Sequence, residues 1–263
     1  MFNALKKSWL TYFLLVYFVL IYAWYMVIQF TGSENNYLFN WSYGIIGLVA
    51  SIYGVVIAVK KWGGFKSSLG KLLIFLSIGL FSQWIGLQIW TYYNLVAKQE
   101  VPYPSFADIG YFGLVPAYII AALLLAKVCG ARFSLRSAKG KLLVFTLPII
   151  SLSVAFFLFV RDVGFQDTTP IKLFFDLAYP IGEIIPPTIA LVVLILTTGI
   201  MGGKMRSRIQ LIVIAFMFQF FTEYLFLYQS GTGTYVNGGI SDLCYATSYL
   251  IMGLTLASFS RID

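Results

Sequence analysis

The sequence contains no histidine. Imidazole metal sites, His-ligated haem, Ser-His and Cys-His catalysis and phosphohistidine relays are excluded with it. It has only two cysteines, Cys129 and Cys244. The spans read below put them on opposite sides of a membrane, too far apart for a disulfide, and both are read as inert. Charge is scarce as well: 11% of the 263 residues are charged, against about 25% in soluble domains. That shortage excludes a soluble enzyme and a disordered chain. The net charge of +8 is spread over short segments between apolar runs, so there is no basic domain for nucleic acid. Gly-x-Ser-x-Gly, Walker and dinucleotide fingerprints are missing, as is metal-ligand spacing. Ser68-Leu-Gly-Lys71 matches Ser-x-x-Lys but sits in a basic loop without its companion motifs. Helices 7 and 8 hold no lysine for a retinal Schiff base. Catalytic residues, a cofactor and a metal site are therefore not expected.

What is abundant is apolar: 60% hydrophobic and 18% aromatic residues, with a mean hydropathy of +0.86. A bilayer core of about 30 Å needs roughly 20 apolar residues in a helix. Eight stretches qualify, at about 9–30, 43–59, 72–95, 107–127, 142–160, 175–199, 209–228 and 241–259. The first is too long for a signal-peptide core and no small-residue cleavage site follows. With the N-terminus inside, fifteen of the 18 Lys and Arg fall in inner segments and three (Lys98, Arg161, Lys172) in outer loops. Lys and Arg collect on the cytoplasmic side of membranes. The expected fold is a single all-α membrane domain, 1–263, of eight transmembrane helices in four hairpins of one orientation, both termini cytoplasmic, in a plasma (inner) membrane.

An internal repeat accompanies the spans. Helix 4 begins Asp108-Ile-Gly-Tyr111, helix 6 Asp176-Leu-Ala-Tyr179 and helix 8 Asp242-Leu-Cys-Tyr245, at steps of 68 and 66 residues. Helix 2 begins Asn40-Trp-Ser-Tyr43, 68 residues before Asp108. Gln83 and Gln219 are separated by twice 68 residues. An Asp at a helix start can accept from orphan N–H groups and meets the positive end of the dipole. A Tyr one turn deeper suits the membrane interface. Capping plus anchoring accounts for the pattern without a ligand, and a ligand site is the alternative.

Capping does not account for Glu183 and Glu223. Glu183 shares a helix face with Asp176 and lies about 12 Å below the entrance of helix 6. Glu223 lies about 9 Å inside helix 7, with Gln88 near that depth and Gln83 and Gln219 deeper. A charge in the bilayer is disfavoured by at least about 2.5 kcal/mol and usually faces the bundle interior or a wet cavity. No span holds a Lys or Arg to pair with these acids. They are protonated, bind something cationic, or are reached by water. Pro186 and Pro187 free the carbonyls of Gly182 and Glu183 beside the acid, and Pro116 and Pro148 are further kink positions. The expected site is a pocket open to the outer side, built from helices 3, 4, 6, 7 and 8. Its lining is Asp108, Tyr111, Asp176, Tyr179, Glu183, Glu223, Asp242, Tyr245, Gln83, Gln88 and Gln219. Neutral acids acting as packing contacts are the alternative. Most aromatics are read as membrane-belt residues.

The three Asp motifs carry a resemblance. Pro102-Tyr-Pro104-Ser105-Phe-Ala107-Asp108-Ile-Gly-Tyr111 resembles the P-S-x-A-D-x-x-Y entrance of multi-spanning N-terminal sensor regions in bacterial diguanylate cyclases and related signalling proteins. Asp176-Leu-Ala-Tyr179-Pro180-Ile-Gly182-Glu183 is similar to their second signature, and Ser241-Asp242-Leu-Cys-Tyr245, running on to Tyr249, to their third. The resemblance covers almost the whole chain and implies an eight-helix input module that senses a signal. No output domain follows the last span before Asp263, so a separate signalling output protein is the expected partner. The other expected partners are the lipid bilayer and a small-molecule or cationic ligand. The alternatives are a small transporter or channel for a cation, a proton-coupled substrate or a lipid, and a membrane scaffold.

Overall fold

In the computed structural model, residues 8–32, 36–130, 138–157, 169–197 and 203–260 are described. The ends of two expected spans, 158–160 and 198–199, and the outer-loop Arg161 lie outside the described residues. Among those described, the chain forms eight α-helices and no strand. They are α1 (Trp9–Thr31), α2 (Tyr37–Trp62), α3 (Ser68–Tyr92), α4 (Phe106–Val128), α5 (Ala138–Ala155), α6 (Pro170–Thr197), α7 (Gly203–Gly231) and α8 (Ile240–Ser258). A 3₁₀ turn at Gly64–Lys66 joins α2 to α3, and a π turn at Tyr93–Ala97 extends α3. Seven helices are long and apolar enough to cross a membrane; in α5 the apolar stretch among the described residues is Phe145–Val154.

Most helices outrun the apolar runs that announce them, because capping chemistry rather than hydrophobicity ends a helix. The Asn36 side chain accepts from the Phe39 N–H at the start of α2. Ser67 accepts from the Gly70 N–H at the start of α3. Gly32 and Gly63 close α1 and α2 in the left-handed conformation that glycine adopts without a Cβ penalty. At the start of α4, Ser105 and Asp108 form a reciprocal capping box, with the Ser105 N–H donating to Asp108 Oδ2 at 2.6 Å.

Six helices close a ring: α2 packs on α3, α3 on α4, α4 on α6, α6 on α7, α7 on α8, and α8 back on α2. α1 lies outside against α2 and α8, and α5 outside against α6. The tightest seam is α3 with α4. A Cβ on Gly110 would lie 2.3 Å from the Gly86 nitrogen, and one on Gly79 would lie 2.3 Å from the Tyr118 ring. Glycine is required where backbones and rings approach this closely. Leu72, Leu73, Leu76, Ala121, Leu125, Ile212 and Leu256 fill the interior. Outward faces such as Val16, Val19 and Leu20 of α1 are exposed. Hydrophobic groups facing out from a packed interior are what a lipid-solvated helix requires.

At one end Arg208 ties three helices together. It is buried, its Nε donates to the Ser258 carbonyl at 2.9 Å, and its guanidinium lies 5.4 Å from the Phe259 ring and 5.9 Å from the Trp62 ring. Trp62 Nε1 donates to the Phe259 carbonyl at 2.8 Å. Cys129, at the same end of α4 as Lys127, is buried, and burial pushes its thiol up to about 11. An un-ionised, enclosed thiol is unreactive.

Candidate functional site

The Asp-x-x-Tyr motifs diverge once folded. Asp108 lies in the first turn of α4. Its Oδ2 caps the helix and its Oδ1 accepts from the Tyr179 hydroxyl of α6 at 2.9 Å. Asp242 lies in the first turn of α8 and is 1% exposed. It accepts from the Gly238 N–H at 2.6 Å, from the Tyr235 hydroxyl at 3.1 Å and, across the ring, from the Tyr43 hydroxyl of α2 at 3.5 Å. Burial, then the Asp242 charge, holds the Tyr235 phenol well above its ordinary range. Asp176 differs. Because α6 begins at Pro170, it sits inside the helix and caps nothing. It accepts from the Tyr103 hydroxyl of the α3–α4 connection at 2.8 Å. The earlier start comes from Thr169 and Pro170: the Thr169 side chain accepts from the Lys172 N–H, and proline at a first helical position has no N–H to leave orphaned.

Asn40 of α2 accepts from Asn237 Nδ2 at 2.9 Å beside the Asp242 group. Tyr43, Tyr235, Asn40 and Asn237 thus belong with Asp242. Of these the repeat itself marked Asn40 and Tyr43. Gln88 stands apart: its Nε2 lies over Gly44 of α2, where a Cβ would meet it at 2.9 Å, and it is buried without a hydrogen bond.

The deeper acids form a second group. Glu223 of α7 accepts from Gln83 Nε2 of α3 at 3.0 Å, from Gln219 Nε2 at 2.7 Å and from the Tyr245 hydroxyl of α8 at 2.8 Å. The Gln219 carbonyl oxygen accepts in turn from the Ser248 hydroxyl, which fixes that amide with its nitrogen toward Glu223. Glu183 of α6 is 4% exposed and lies within electrostatic reach of Glu223. Its carboxyl receives no hydrogen bond among the described residues. Thirteen residues into α6, it lies about 20 Å from the helix start, deeper than the apolar run suggested. Tyr118 of α4, packed on Gly79, lies within electrostatic reach of both glutamates. Five helices (α3, α4, α6, α7 and α8) therefore supply this group.

Glu223, Tyr245 and Tyr111 are half-buried, while Glu183, Gln83, Gln219, Tyr118 and Ser248 are closed off. The α6 backbone is helical through Pro180, Pro186 and Pro187. Tyr224 of α7 donates to the Pro180 carbonyl at 2.9 Å, binding α7 to the proline-rich segment. α4 is likewise continuous through Pro116. Sequence reasoning did not mark Tyr118 or Ser248. Tyr118 lies two turns beyond Tyr111, and Ser248 lies one turn beyond Tyr245, so helical periodicity could have found both.

Among the described residues no group of three or more His, Cys, Asp or Glu is placed to hold a metal ion. Compared with protein-family models, curated proteins and solved structures, the chain matches none.

Proposed function

We propose that the chain is a multi-pass membrane module that senses a signal or binds a ligand, with Glu183 and Glu223 at its centre. The observation that carries this reading is Glu183 itself: a carboxyl, 4% exposed, with no hydrogen-bond donor among the described residues, set beside a second carboxyl. Intramembrane acids are disfavoured and cluster at functional sites. A purely structural acid would be expected to carry its own donors, as Asp108 and Asp242 do. The partial exposure of Glu223, Tyr245 and Tyr111 supports access from the end where the even-numbered helices begin.

In the proposed topology all eight helices span the membrane and both termini are cytoplasmic, which puts that end outside. The Lys and Arg distribution supports it. The spacing of the Asp-x-x-Tyr motifs supports four parallel-repeated hairpins, and their resemblance to sensor input regions supports signal reception. A plasma membrane and a separate output protein belong to the same reading.

The three prolines of α6 favour transport of a small cation or proton-coupled substrate as a second reading, since prolines near an intramembrane acid are a transporter feature. The test combines two measurements on purified protein. Thermal stability is followed across a panel of ligands and pH values, and flux is followed in proteoliposomes. A ligand- or pH-dependent shift lost in Glu183→Gln supports the binding module. Flux lost in Glu183→Gln with Glu223→Gln supports transport. Stability indifferent to the whole panel, without flux, leaves a scaffold.

A further inference from the structure

We propose that Glu183, Glu223 and the side-chain carbonyl oxygen of Gln83 form an enclosed site for one dehydrated monovalent cation. The inference rests on the binding-module reading and names the class of its ligand.

Among the described residues, every unmet hydrogen-bonding position in this group belongs to an acceptor. Glu223 is surrounded by donors from three residues, as an ionised carboxylate requires. Gln83 is 1% exposed, and with its Nε2 committed to Glu223 its Oε1 is left buried without a partner. Glu183 has no donor there either. What is missing is positive charge, and no Lys or Arg lies within α6 or α7 at this depth to supply it. Buried acceptors left unmet are disfavoured by about 1–3 kcal/mol each, and a bare charge by more. A proton would serve one oxygen. A small cation serves several at once, and hard oxygen ligands suit it. Two carboxylates with neutral oxygens fall short of the charge density divalent sites use. The enclosure of Glu183 and Gln83 favours an ion stripped of water over an organic cation.

The experiment uses the full chain, purified in detergent and in lipid nanodiscs. Melting is measured in sodium, potassium, lithium and N-methylglucamine chlorides at equal ionic strength, over a range of pH. One alkali cation should raise the melting temperature saturably, by about 5–10 °C at saturation, and N-methylglucamine should not. Glu183→Gln should abolish the rise, and Gln83→Leu should weaken the apparent affinity about tenfold. Equilibrium dialysis of wild-type protein with the radiolabelled cation provides a readout that does not depend on any variant folding, with one ion per chain expected. Melting that tracks pH alone, identical in all four salts, overturns the cation site and leaves the binding-module reading in place. Melting indifferent to salt, pH and ligands overturns both.

Discussion

The carboxylates at the helix starts and the carboxylates in mid-bundle solve the same problem with different means. Asp108 and Asp242 each accept from a backbone N–H close in sequence and add tyrosine hydroxyls from neighbouring helices. The first turn of a helix has N–H groups to spare. Mid-helix, every N–H is committed to the carbonyl one turn back, so a deep carboxylate must draw donors from side chains. Glu223 obtains three, two of them from other helices. Glu183, on a helix whose neighbouring residues are Gly182, Ile184 and Ile185, obtains none among the described residues. Acids at the ends are thus part of the architecture. The unsatisfied acid in the middle is where the fold is left incomplete without a ligand.

The sharpest way to break this contrast is Asp242→Ala. It strands the Tyr43 and Tyr235 hydroxyls and the Gly238 N–H in a buried site. Stability should fall by about 3 kcal/mol in chemical unfolding of the detergent-solubilised protein; a loss near zero would mean that these donors find other partners. Glu223→Gln comes next. Its amide has one acceptor oxygen for three donors, and a loss of about 2 kcal/mol is expected in the same assay. Asp176→Asn removes only the charge from a single contact with Tyr103, so the change should stay within about 0.5 kcal/mol. The smallest effect belongs to Glu183→Gln in buffer free of alkali cations. With no donor to lose, that variant should be as stable as wild type or slightly more so. A large loss there would place Glu183 among the architectural acids.

Much of this was legible in the sequence, for definite reasons. Apolar runs reveal helices because lipid and a packed interior both demand them. The order α1 to α8 follows directly, and the helix ends shift only where Asn36, Ser67 and Thr169 offer caps beyond the apolar runs. Glu183, Glu223, Gln83, Gln219 and Tyr245 stood out because polar groups are rare at that depth, and the fold brings them together. The motif equivalence of Asp108, Asp176 and Asp242 concealed that Asp176 caps nothing, since the true start of α6 rests on Thr169 and Pro170, outside the motif. The pairing of Tyr43 with Asp242 and Tyr179 with Asp108 was not legible, because it depends on which helices neighbour one another around the ring. Gln88 carried the same polarity signal as Gln83 but lies against Gly44 instead.

The most direct test is a high-resolution experimental structure of the chain in lipid nanodiscs, examined between Glu183 and Glu223. The expected result is non-protein density against the Glu183 carboxyl, within coordinating distance of the Gln83 carbonyl oxygen. A Glu183 side chain turned away from Glu223, with apolar groups filling the space between them, would contradict it.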